Sequence, residues 1–108
     1  MPEAARIGDL VHAEGDSHGS VICCPHNVTG PIITGALSVM INGKPAVREQ
    51  NEGVHVACCG ANTFRVWRGS ETVIIEGYAA ARKGDETYHC GYATGTIIEG
   101  SPDVFIGG

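Results

Sequence analysis

The segment Gly69-Ser-Glu-Thr-Val73-Ile-Ile-Glu-Gly77 decides the fold, because the chain writes it three times. It stands earlier as Gly35-Ala-Leu-Ser-Val39-Met-Ile-Asn-Gly43 and later as Gly100-Ser-Pro-Asp-Val104-Phe-Ile-Gly-Gly108. Every copy has glycine at its first and ninth places, Val at its fifth and Ile at its seventh. Repetition of this kind marks an architecture of equivalent units, here with approximate three-fold symmetry. The runs Val39-Met-Ile41, Val73-Ile-Ile75 and Val104-Phe-Ile106 are short, apolar and β-branched, which favours strands.

The copies extend beyond nine residues. Five places after the closing glycine comes an arginine, in Pro45-Ala-Val-Arg48 and Ala79-Ala-Ala-Arg82. A further instance, Pro2-Glu-Ala-Ala-Arg6, opens the chain. Arg6 leads into Gly8-Asp9 and Arg82 into Gly84-Asp85. Seven places after Arg48 stands His55, and seven after Arg82 stands His89. Cys24, Cys59 and Cys90 precede the three glycine-led segments. Each unit is expected to form a hairpin across its glycine-led turn. The arms are then Pro31–Thr34 with Val39–Ile41, Phe64–Arg68 with Val73–Ile75, and Gly95–Glu99 with Val104–Ile106. One hairpin cannot bury an apolar face, but three around a common axis can. The expected fold is all-β, a small conical pseudo-three-fold prism of three β-hairpin repeats. Its interior is expected to hold Ile33, Val39, Ile41, Val66, Val73, Ile75, Ile97, Val104 and Ile106. Arg6, Arg48 and Arg82 are expected to pair with Asp9, Asp85 or turn carbonyls. Phe64 and Trp67 are read as an aromatic pair for an exposed face.

Composition narrows the function. At 108 residues the chain is read as one domain, residues 1–108. Sixteen glycines and five prolines leave no room for long helices. A net charge of −5 with seven basic residues argues against nucleic-acid binding. No apolar run approaches a membrane span. Met1-Pro-Glu-Ala-Ala-Arg6 is not a secretory signal, so synthesis in the cytoplasm without a leader is expected. Five cysteines, with Cys23-Cys24 and Cys58-Cys59 adjacent, accompany five histidines. In a reducing compartment that pattern points to metal rather than disulfides. His55 and His89 hold one place in the repeat and are expected to converge. His12 and His18 compete with His55, and Cys58 with Cys59. A closed site of four protein ligands would be structural. Gly15-Asp-Ser17-His-Gly19 fits an esterase pattern, but that pattern needs an α/β sheet this chain lacks, so no catalysis is expected. The alternatives are a small zinc-dependent hydrolase with an open metal position, or a metal-buffering protein using the paired cysteines.

Pro2-Glu-Ala-Ala-Arg6, Pro45-Ala-Val-Arg48 and Ala79-Ala-Ala-Arg82, with Ile41-Asn-Gly-Lys-Pro45, Gly84-Asp85 and Gly100-Ser-Pro-Asp-Val-Phe-Ile-Gly107, resemble the Pro-Ala-Ala-Arg signature of PAAR-repeat proteins. The resemblance spans nearly the whole chain. It implies a cone with a zinc near its apex, iron being a substitute, held by three histidines and a cysteine. His26, ahead of Gly30-Pro31, Cys59 and His89 match that set, with His55 as the fourth ligand. It also implies a structural tip that caps the trimeric spike of a contractile injection machine, a type VI secretion system or phage-tail-like particle. The partner would be a trimeric VgrG-type or phage-spike protein, one copy of the chain per trimer, with cargo docking as a further capacity. The tip would leave the cell within that particle and puncture a membrane without spanning it. Two departures stand out: Glu3 is inserted in the first signature, and Glu49-Gln-Asn-Glu52 replaces Gly-Asp in the second.

Overall fold

The computed structural model describes residues 2–16, 26–54, 63–89 and 93–107. Among these there is no helix. The strands are β1 (Leu10–Asp16), β2 (His26–Pro31), β3 (Met40–Ile41), β4 (Lys44–Pro45), β5 (Glu52–Val54), β6 (Thr63–Val66), β7 (Ile74–Ile75), β8 (Tyr78–Ala79), β9 (Glu86–His89) and β10 (Ala93–Ile97). Six of them form one antiparallel sheet in the order β2-β1-β10-β9-β6-β5. Its two edges meet at an Ile32–Gly53 bridge, where Ile33 and Thr34 donate to the Glu52 carbonyl, so the sheet is nearly closed. The wall is therefore three hairpins, β1–β2, β5–β6 and β9–β10. Because neighbours are antiparallel, β1, β5 and β9 all run toward one end, the apex. The molecule measures 41 × 24 × 23 Å, and short axes that differ by only 1 Å suit three-fold symmetry about the long one.

Three hairpins exist, but none is an expected pair of arms: Pro31–Thr34 does not pair with Val39–Ile41, nor Phe64–Arg68 with Val73–Ile75. The strands of each pair face one another across residues 17–25, 55–62 and 90–92, which lie outside the described residues. The glycine-led segments instead carry the chain from the wall into narrow ladders at the opposite end, the base. There Met40 pairs with Pro45 across Asn42-Gly43, and Ile74 with Ala79 across Glu76-Gly77. The turn residues have φ of 54° and 77°, and of 51° and 85°, the positive pair that a two-residue type I′ hairpin needs. Gly95–Glu99 and Val104–Ile106 are thus not partners. Glu3 pairs with Phe105, Ala4 donates to the Val104 carbonyl and Ile106 to the Pro2 carbonyl, both at 2.9 Å. Residues 2–4 take the place in the third unit that β4 and β8 take in the others. Gly35, Gly69 and Gly100 serve close approach rather than turning. A Cβ there would lie 2.9 Å from the Ala46 carbonyl, 2.6 Å from the Ala80 carbonyl and 2.7 Å from the Glu3 Cβ respectively.

The Ala-Arg signatures meet on the axis. Ala5 donates to the Ala81 carbonyl, Ala81 to Val47 and Val47 to Ala5, each at 3.0 Å. This ring of backbone hydrogen bonds closes on itself, and its side chains, Ala5, Val47 and Ala81, are all fully buried. On its apex side Val11, Ile32, Phe64, Val66 and Ile97 form one core with the ring residues. On its base side Ala4, Ile41, Ala46, Ile75, Ala80 and Ile106 form a second, flanked by half-buried Val39, Val73 and Val104. Two expectations fail. Ile33 is 50% exposed, because its neighbour Ile32 takes the inward place and strand alternation turns Ile33 out. Phe64 is buried rather than exposed, with its ring over Gly53, where any Cβ would come within 2.1 Å of it.

Candidate functional site

Three corners join the axis ring to the wall, and they follow from the arginines. At each, the residue three places on donates its backbone N–H to the arginine carbonyl: Asp9 to Arg6, Asn51 to Arg48 and Asp85 to Arg82, at 3.0–3.1 Å. The third turn residue, Gly8, Gln50 or Gly84, holds φ of 93°, 77° or 94°, which fits a type II turn and explains two of the glycines. Asp9 and Asp85 each accept a backbone N–H and two guanidinium bonds from their arginine, at 2.8–3.1 Å. These hydrogen bonds hold the pKa of Arg6 and Arg82 above the ordinary value. Gln50-Asn51 fills the place of Gly-Asp at the second corner. Asn51 accepts the Arg48 backbone N–H at 2.8 Å but offers the guanidinium no carboxylate. Arg48 lies 3.4 Å from Glu76 and 4.7 Å from the Tyr78 ring centroid. Its buried Nε has no hydrogen-bond partner among the described residues.

The base has its own three-fold set, broken at one position. Ser70 and Ser101 cap their segments: Ser70 Oγ accepts from Thr72 and Val73 N–H, and Ser101 Oγ from Asp103 and Val104 N–H. The first segment has Ala36 there, and a carboxylate from the neighbouring unit takes one of the two equivalent N–H groups, that of Ser38. Glu76 Oε2 accepts the Leu37 and Ser38 N–H at 3.0 and 2.8 Å and the Ser38 hydroxyl. The Ser38 hydrogen bond is the main reason its carboxyl titrates below the ordinary 4.5. Asp103 is held below 3.8, first by Asn42 and then by Ser101. Outside this frame Met40, Ile74 and Phe105 occupy one equivalent place and are 62%, 59% and 47% exposed. An apolar residue stands sixth in all three copies of the repeat. The sequence carried that signal, and its meaning as an exposed ring becomes readable only once the ladders are known.

The candidate metal ligands relate to the apex as follows. His26 opens β2, paired with Asp16 at the end of β1. His89 ends β9, paired with Phe64 and Ala93. Both backbone positions are at the apex end of the wall. His55 and Cys59 lie outside the described residues, as do His18, Cys23, Cys24, Cys58, Cys90 and Ser17. The strand that precedes His55, β5, runs toward the apex like β1 and β9. His12 stands within β1, with Nδ1 2.7 Å from Thr29 Oγ1. Among the described residues no group of three His, Cys, Asp or Glu side chains gathers as a metal site. A donor set of imidazoles and a thiolate suits zinc, whose role between strands would be that of a cross-link.

The PAAR motif pattern matches residues 24–93 and again 62–108. The two matches overlap and together cover most of the chain, as a tandem of equivalent units requires. The chain belongs to the PAAR motif family. Comparison with curated proteins gave no match. The family assignment agrees with the cone, and the structure gives its signature a physical reason. Its small apolar residues, Ala5, Val47 and Ala81, form the axis ring, and its arginine locks two of the three corner turns through an Asp partner.

Proposed function

We propose that this chain is the structural tip that caps the trimeric spike of a contractile injection machine, of the type VI secretion or phage-tail-like kind. The observation that carries this reading is the exposed ring of Met40, Ile74 and Phe105 on a base with three-fold backbone symmetry. A single chain with three equivalent contact points can satisfy three identical subunits at once. A trimeric VgrG-type or phage-spike protein is the partner, one copy of the chain per trimer. Apolar contact at the ring supplies the seat, and ladder edges at the base extend the spike's β-structure by strand addition. Cargo is carried on the same particle, and the chain leaves the cell only as part of it.

At the apex, His26, His55, Cys59 and His89 hold one zinc, or iron in its place. Four protein ligands leave no position for a substrate, so the bound metal ties strands together rather than catalysing a reaction. The observation in favour is the common direction of β1, β5 and β9. Replacing Met40, Ile74 and Phe105 together by Glu tests the docking reading. The triple variant is expected to keep its melting temperature within a few degrees and to lose co-purification with the spike trimer. Retained co-purification contradicts the seat. Metal analysis tests the apex: one zinc or iron per chain is expected, and substitution of His89 by Ala should release it.

A further inference from the structure

We propose that the groove beside Trp67 is a binding subsite for a neutral saccharide. The groove encloses about 590 Å³ and is walled by Glu49, Gln50, Trp67, Arg68, Glu71 and Arg82. The pseudo-three-fold axis carries it onto a groove of about 450 Å³ that serves as an internal control. There Trp67 is replaced by Ile98, Glu49 by Lys83, Arg68 by Glu99 and Glu71 by Pro102. In that second groove Lys83 is 3.5 Å from Glu3, an ion pair that spends its polar groups internally. In the first, Ala79 stands where Glu3 would be, and Glu49, Gln50 and Glu71 have no side-chain hydrogen bond among the described residues.

Trp67 is held ready. Its backbone N–H donates to the Glu86 carbonyl at 2.9 Å, so its backbone is fixed at the end of β6. Tyr88 packs beside the indole with centroids 5.7 Å apart and planes 37° from parallel, yet Trp67 stays 47% exposed. A tilted pair makes an open platform rather than a cage. Arg82 is spent on Asp85, and Arg68 lies 3.9 Å from Glu86, so the groups beside the platform without a side-chain hydrogen bond among the described residues are the Glu49 and Glu71 carboxylates and the Gln50 amide. Carboxylates repel an anion, and acceptors set beside an aromatic face suit a ring that carries several hydroxyls. Its apolar C–H face can stack on the indole, and its hydroxyl edge can reach the free carboxylates and amide. This site does not depend on the spike-tip role.

Trp67 is the chain's single tryptophan, so its emission reports the groove alone. The intact protein is titrated with maltotriose, galactobiose and tri-N-acetylchitotriose, and saturation-transfer NMR is recorded in parallel. At least one sugar is expected to give a saturable emission shift in the millimolar range. Trp67→Ile, which copies Ile33 and Ile98, should weaken NMR-detected binding by about tenfold, with the melting temperature unchanged. Glu49→Gln should weaken it less and retain the emission probe. No response to any of the three sugars up to about 50 mM, far beyond ordinary weak affinity, overturns the proposal. So does a response confined to a Lys-rich peptide, or sugar binding that Trp67→Ile leaves intact.

Discussion

The first and second hairpins fill the same interior space with opposite assignments. In the first, Val11 faces Gly30, so bulk comes from the ascending strand. The third follows the same rule with Thr87 facing Gly95. In the second, Gly53 faces Phe64, so bulk comes from the descending strand. All these positions are buried, and each pair sets one glycine against one larger side chain. Symmetry is thus kept in the backbone of the axis ring and the corners and is loose in the side chains. The corners repeat the lesson: two lock with Arg–Asp pairs, whereas the Arg48 corner has Asn51 and borrows Glu76 from the next unit.

The largest effect should come from forcing the second hairpin into the pattern of the first. Gly53→Val drives a side chain into the Phe64 ring and the Pro31 carbonyl, 2.4 Å from a Cβ. It should cost about 3 kcal/mol or more, the upper range for overpacking. Phe64→Gly alone should cost about 3–5 kcal/mol by leaving a cavity. The double variant recreates the Val11–Gly30 pair and should recover about 1–3 kcal/mol relative to the sum, by denaturant unfolding. Additive losses would mean that the two residues do not share one volume.

The corners come next. Asp85→Asn turns the third corner into the second and strands a partly buried guanidinium, for a loss of about 1.5–3 kcal/mol. Asn51→Asp makes the reverse change, gives Arg48 Nε a carboxylate and should add about 1 kcal/mol. Equal effects of the same sign would break the comparison.

Glu76 carries the smallest expected effect, and it is read through pH. Glu76 and Asp103 titrate lower in the folded chain than their ordinary 4.5 and 3.8. Their contribution is therefore complete above those values and is lost as pH falls through the depressed folded ones. Melting temperature should drop on acidification below about pH 4.5, and Glu76→Gln should be less stable at neutral pH with a shallower acid decline. An unchanged acid decline in that variant would remove Glu76 from the base.

The threefold repeat, the all-β class and the Arg–Asp corners were legible because each is a local spacing or a short-range pair. The hairpin limits were misread because glycine-led segments resemble turns. The stronger signal was Asn42-Gly43, since asparagine and a residue without a Cβ both tolerate the positive φ of a two-residue turn. Phe64 and Ile33 were misplaced since inside and outside depend on which strand of each pair carries the bulk. That is a relation between units, invisible in any single one. Of the four candidate ligands, His26 and His89 are placed by strand pairing, while His55 and Cys59 rest on register in the repeat alone.

The account stands on one polypeptide presenting a trimer with three equivalent faces. Native mass spectrometry of the chain co-expressed with a trimeric spike protein reads this directly. One chain of this protein for every three spike chains is the predicted mass. A complex with three copies on one trimer would contradict it.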